Sequence, residues 1–217
     1  MNQCVFPVKR IVPLTFLLLL TSTRSEVNDD ELWAAVEFSK EITSKLELEL
    51  GQELRLKKYF SEFHKTFTDL SLSYTIFSSI KVSGEYRYIV YGDKEKSRIS
   101  LGGKFDFKFL NLMPSHRLKL QQETEKGEVP DELELRNKFK IEYPLSKRFT
   151  PFVSYELFQV QEDEYYTSDK YRAGVGIEFD LNESYSFELF YIFEEELNKS
   201  VNERTNIFGL KYEIDII

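Results

Sequence analysis

The sequence predicts an all-β protein, an antiparallel transmembrane barrel of about ten strands, or 10–12 at the outside. Three observations point there. Residues 46–57, LELELGQELRLK, alternate apolar and polar side chains. A strand puts successive side chains on opposite faces, so Leu46, Leu48, Leu50, Leu54 and Leu56 share one face, with Glu47, Glu49, Glu53, Arg55 and Lys57 on the other. The same alternation recurs about ten times before the chain ends. Beyond the N-terminus, no apolar run reaches the ~18 residues a spanning helix needs. A strand with one apolar and one charged face belongs between an apolar medium and a polar one.

The chain opens with a segment of a different kind. Lys9 and Arg10 precede the apolar run IVPLTFLLLL, and small and polar residues follow up to Ser25. This is the layout of a cleaved secretory signal, which makes 1–25 a signal and 26–217 a single barrel domain. Cys4, the only cysteine, leaves with the signal, so the mature chain carries no disulfide framework and no thiol nucleophile. The removed segment holds three basic groups and no carboxylate, so the remainder is more negative than the −8 of the whole chain. Nucleic acid is thereby disfavoured as a partner, because phosphate binding needs a basic surface.

Leu32, Ala34, Val36 and Phe38 then alternate with Trp33, Ala35, Glu37 and Ser39, a strand that turns at 43–45 into the LELEL stretch. Later apolar stripes include Leu70 to Ile76, Ile80 to Val90 and Ile99 to Phe109. They continue through Leu118 and Leu120, Leu133 to Tyr143 and Val153 to Leu157, and end with Tyr171 to Phe179, Tyr185 to Phe193 and Phe208 to Ile216. Short turns are expected at 77–79, 110–115, 144–148 and 182–184. Longer polar links are expected at 58–66, 91–96, 124–131, 161–169 and 195–203. Short periplasmic turns opposite longer extracellular loops are the asymmetry of an outer-membrane barrel. A soluble lipocalin-like barrel would show the same stripes with the faces reversed. The signal, the loop sorting and the strand lengths favour the membrane.

Parity raises a difficulty. Ten strands from Leu46 onward close antiparallel, whereas adding the Trp33 segment makes eleven and a parallel closure. Bacterial single-chain barrels have even strand numbers, so the Trp33 segment is expected outside the ring, or one strand is uncounted.

The polar face carries both signs. Glu53, Arg55, Glu85, Arg87, Arg98, Lys104, Arg136, Lys138, Glu156, Arg172, Glu178 and Glu188 are the expected members of a lumen charge network. A barrel of this size is barely wider than its own side chains, and buried charges must be paired. The interior is therefore expected to be filled by ion pairs, with a narrow gated pore as the sharper alternative. No catalytic, cofactor or metal site is expected. His64 falls in an expected external loop and His116 on the lipid face near the periplasmic rim, so neither supplies a triad, and no cysteine cluster or histidine pair offers metal ligands. Gly102, Gly103, Gly174 and Gly176 lie within strands, where they ease curvature rather than cradle phosphate.

Several of these pieces resemble a known family. They are Trp33, Gln52 to Arg55, Leu70 to Tyr74, Gly84 to Tyr88, Leu135 to Lys138, Ile141 to Phe158, Asp169 to Phe179 and Glu188 to Asn198. Together they resemble the bacterial outer-membrane barrel family catalogued as domain of unknown function 2490. The run from Ile141 to Phe158 is the most specific. One departure is the ending, Ile216-Ile217, where such barrels usually close on an aromatic residue. The resemblance implies a barrel exported to an outer membrane, and it brings no activity or catalytic residues. The expected partners are outer-membrane lipid and the barrel-assembly machinery. The expected role is structural or that of a narrow solute channel, ahead of a loop-borne interaction module and of a lipid or peptide hydrolase.

Overall fold

A computed structural model describes residues 29–162, 165–199 and 203–216. The expected signal segment lies outside them. Among the described residues, eleven strands pair edge to edge until the last meets the first. They are β1 (Asp29–Thr43), β2 (Leu46–Lys57), β3 (Glu62–Phe77), β4 (Ile80–Tyr91), β5 (Lys94–Asp106) and β6 (Met113–Glu125). They continue as β7 (Glu134–Glu142), β8 (Phe149–Glu162), β9 (Tyr165–Asp180), β10 (Tyr185–Glu196) and β11 (Arg204–Ile216). Closure leaves no sheet edge, so the strand ladders satisfy the backbone groups that an open sheet would expose.

The Trp33 segment is β1 and lies inside the ring, contrary to the expectation from parity. Up-and-down strands in odd number bring the first and last side by side pointing the same way. β1 and β11 accordingly pair parallel, from Asp29↔Thr205 to Lys40↔Ile216, while every other neighbouring pair is antiparallel. Parallel pairing is slightly less stable per residue, and side chains reinforce this seam. Asn206 Nδ2 donates to Asp30 Oδ1 at 2.9 Å, Lys211 Nζ lies 3.0 Å from Glu37 Oε2, and Ser39 donates to Asp215. The β2–β3 connection straps it at one rim. Lys58 N donates to Asp29 Oδ1 at 2.8 Å, Tyr59 N donates to the Asp30 carbonyl at 3.2 Å, and Phe60 packs edge-on against Phe208 of β11. Lys58, Tyr59 and Phe60 all have positive φ, a conformation costing non-glycine residues about 1–2 kcal/mol each.

The two faces of the barrel sort sharply by polarity. Apolar stripes point outwards, and Leu101, in the middle of β5, is 66% exposed. Charged side chains point inwards, including Arg55, Lys119 and Glu156, all buried. Outward aromatics gather towards the two rims. Phe149, Phe179 and Phe187 stack at one, with Tyr185 and Tyr212 beside them. Towards the other lie Phe60, Phe208, Tyr191, Tyr171 and Phe193.

The expected loop asymmetry is absent. At the rim where longer links were expected, the connections are 58–61, 92–93, 126–133, 197–203 and the step from Glu162 to Tyr165. At the opposite rim they are 44–45, 78–79, 107–112, 143–148 and 181–184. The polar stretches read as loops are largely strand. β3 and β9 run for 16 residues each, so the ladder continues through 62–66 and 165–169.

Candidate functional site

The inward side chains enclose a cavity of about 580 Å³, lined by residues from all eleven strands. All twelve charged residues selected from the sequence line it.

Five of the arginines each hold a carboxylate. Arg87 binds Asp69, Arg98 Nε donates to Glu123 Oε1 at 2.9 Å, and Arg172 Nε donates to Glu194 Oε2 at 2.5 Å. Each of these pairs stands in direct cross-strand register. Arg55 turns to Glu53 two residues back on its own strand, and Arg136 Nη2 reaches Glu156 Oε1 at 2.8 Å on the next. Further bridges skip a strand. Lys119 Nζ of β6 meets Glu85 Oε2 of β4 at 2.6 Å, and Lys81 Nζ of β4 meets Glu47 Oε2 of β2 at 2.6 Å.

Aromatic rings lie between these guanidinium groups. Arg55 Cζ sits 3.4 Å from the Trp33 ring centroid and 4.5 Å from that of Phe67. Arg87 Cζ lies 4.7 Å from Phe67 on its other side. Arg172 Cζ lies 5.0 Å from Trp33 and 4.6 Å from Phe158, and Arg136 Cζ lies 4.6 Å from Phe158. The chain of contacts therefore runs Arg87, Phe67, Arg55, Trp33, Arg172, Phe158, Arg136. It spans the lumen as a chord between β1 and β9. A desolvated cation–π contact is worth about 2 kcal/mol, and the rings shield the ion pairs from water.

The remaining lumen charge is segregated. Lys81, Lys104, Arg117 and Lys138 stand in register across β4 to β7. Acid groups dominate β9 through β2, with Glu178 in register with Glu188, and Glu213 with Glu37. Lys211 lies between the last two, 3.0 Å from Glu37 and 2.6 Å from Glu213.

Sequence reasoning missed the aromatic part of the lumen. Phe152, Gly176, Phe190, Gly209 and Trp33 form one cross-strand row on β8, β9, β10, β11 and β1. The Phe152 and Phe190 rings fill the space that β-carbons on Gly176 and Gly209 would need. These glycines make room for rings rather than simply easing curvature. The signal was present, since both phenylalanines sit on the charged parity of their strands, opposite glycines. His64 was also misplaced. It lies within β3, where a bulge shifts the register between Arg55↔Lys65 and Leu56↔Phe63. Its Nδ1 is 2.8 Å from Glu31 Oε1, the carboxylate that also accepts from Trp33 Nε1 at 2.7 Å. His116 faces outwards, stacked on Phe139 with centroids 4.3 Å apart. Among the described residues, no group of three His, Cys, Asp or Glu is placed to hold a metal ion.

Solved structures similar to this chain include two porins. The NanC porin shares 9% identity over 76% of this chain and 86% of its own, with a TM-score of 0.49. The KdgM porin shares 15% identity over 80% and 87%, with a TM-score of 0.48. The translocator domain of the autotransporter NalP from Neisseria meningitidis shares 13% identity over 76% and 73%, with a TM-score of 0.45. Comparison with curated proteins returns no match. Residues 30–205 match the family model described as protein of unknown function (DUF2490), and the chain belongs to that family.

Proposed function

We propose that the chain spans an outer membrane and serves as a narrow passage for small hydrophilic solutes, not as an enzyme. Segment 1–25 acts as its export signal, and its partners are membrane lipid and the barrel-assembly machinery. The observation that carries this reading is the inversion of the faces. An apolar belt with aromatics towards both rims surrounds a charged cavity of about 580 Å³. A structural plug would serve as well with an interior packed solid. Short connections at both rims leave a loop-borne partner site little surface.

Conductance across a planar bilayer containing the refolded mature protein tests the proposal. Small current steps, altered when Arg136→Glu and Glu85→Arg are introduced, are expected. A folded, heat-modifiable barrel that carries no current overturns it.

A further inference from the structure

One stretch of the lumen wall carries a charge pattern that folding alone disfavours. Lys81, Lys104, Arg117 and Lys138 are direct cross-strand neighbours, and Lys119 faces Arg136 in the same way. Like charges placed directly opposite destabilise a sheet. Arg55, Arg87, Arg98 and Arg172 each hold a carboxylate of their own, but Arg117 and Arg136 share Glu156, at 3.3 and 2.8 Å. The Arg117 Nε is buried and has no hydrogen-bond acceptor. Lys138 stands in register between Arg117 on one side and Glu156 on the other, yet among the described residues no carboxylate lies within 4.0 Å of its ammonium. Both side chains line the cavity. Their neighbours Lys104 and Lys140 are held by Asp106 at 3.1 Å and Glu142 at 2.6 Å, so the donor capacity the protein itself does not use lies on Arg117 and Lys138.

We propose that Arg117 and Lys138, flanked by Lys104 and Lys140, form a subsite for the carboxylate or phosphate group of a small anionic solute. The proposal rests on the lumen being a passage and names what passes. A guanidinium Nε–H beside an ammonium offers charge-assisted donors that oxyanions accept well. A cavity of about 580 Å³ suits a solute of metabolite size. On the wall opposite, Glu37, Glu49 and Glu213 outnumber Lys211, which bridges Glu37 and Glu213, and so favour the basic side for the anion. Lys81 and Lys104 in the same row have carboxylates of their own, Glu47 and Asp106, and a bound oxyanion adds counter-charge where Arg117 and Lys138 have only the shared Glu156.

The test uses the refolded mature barrel in a planar bilayer under a potassium chloride gradient. The reversal potential should show anion preference. Inorganic phosphate and citrate, added separately, should block the current, while glucose should not. Block by either anion supports the subsite and tells which group it prefers. In the double variant R117Q/K138Q the half-blocking concentration should rise at least about tenfold, and K147Q, in an exposed turn, should leave it unchanged. A conducting barrel that prefers cations, or whose block is the same in the double variant, overturns the subsite and leaves the passage standing. If the folded barrel carries no current the passage fails, and calorimetric titration with inorganic phosphate in detergent decides the subsite. Binding lost in the double variant upholds it, and absence of binding overturns it.

Discussion

Arg55 lies over the indole of Trp33, with its guanidinium carbon 3.4 Å from the ring centroid. Arg55 is held from below by Glu53 at 2.5 Å, and Trp33 donates its indole N–H to Glu31. Removing the cation strips Glu53 of its partner in a buried setting, which costs about 3–5 kcal/mol. Arg55→Leu should therefore unfold at clearly lower urea concentration than the wild type. Trp33 is the only tryptophan in the chain, so its emission reports this site directly, and a red shift in the variant is expected. An unchanged spectrum and midpoint would show that the contact contributes nothing.

Packing of Phe190 on Gly209 makes a sharper prediction about size. A β-carbon at position 209 would collide with the ring, and overpacking of this kind costs about 1–3 kcal/mol. Gly209→Ala should lower stability by that amount. Gly84→Ala, whose β-carbon would meet only Leu101 Cδ2 at 3.9 Å, should be neutral or slightly stabilising. Urea titration in lipid vesicles compares the two, and equal effects would count against the ring–glycine row.

The outward belt can be probed by a single charge. Leu101 lies at mid-strand and points outwards. Arginine at the midplane of a lipid-facing strand costs about 2–4 kcal/mol. Leu101→Arg should refold poorly into bilayers while Lys147→Arg, in an exposed turn, should refold normally. Equal refolding yields would argue against a lipid-facing belt.

Register at the parallel seam is open to chemistry. Ala34 of β1 is the direct partner of Leu210 of β11, and both side chains leave the barrel wall. In a Cys4→Ser background, Ala34→Cys with Leu210→Cys should oxidise to an intramolecular disulfide, since paired positions fall within bonding range. Ala34→Cys with Ile214→Cys, four residues further down, should not. A reversed outcome would mean another register.

Neutralising Lys138 removes a buried charge and its repulsion from Arg117, against a lost attraction to Glu156 on the other side. Lys138→Gln is therefore expected to raise the unfolding midpoint slightly while weakening anion block, the trade-off seen when a residue is kept for use rather than for stability. Loss of both together would indicate a structural role.

Much of this was legible in the sequence, because lumen and belt share the period-two code that strands impose. The Leu46 to Leu56 stripe and the charges beside it fell on the expected faces. Phe152, Phe158 and Phe190 were not legible by hydrophobicity alone, since an inward ring in a charged lumen breaks the binary pattern and declares itself only through a glycine or an arginine on another strand. The ends of β3 and β9 read as loops because beyond the belt both faces meet water and alternation fades. The parallel meeting of β1 and β11 leaves no local mark, because it depends on a strand count over the whole chain.

That seam also governs how the molecule comes into being. Asn206 and Asp30, which bond across it, are 176 residues apart, whereas every other strand pair joins sequence neighbours. The hairpins can zip one after another as the chain arrives, but the ring cannot shut until its final strand has emerged. Ordering so long a loop is the slow, entropically opposed step. Until then the chain is a curled ribbon with two sticky margins, one at its beginning and one at its end. The strained strap at 58–60 sits beside the first of those margins, where it fastens the end of the first strand before the last one arrives.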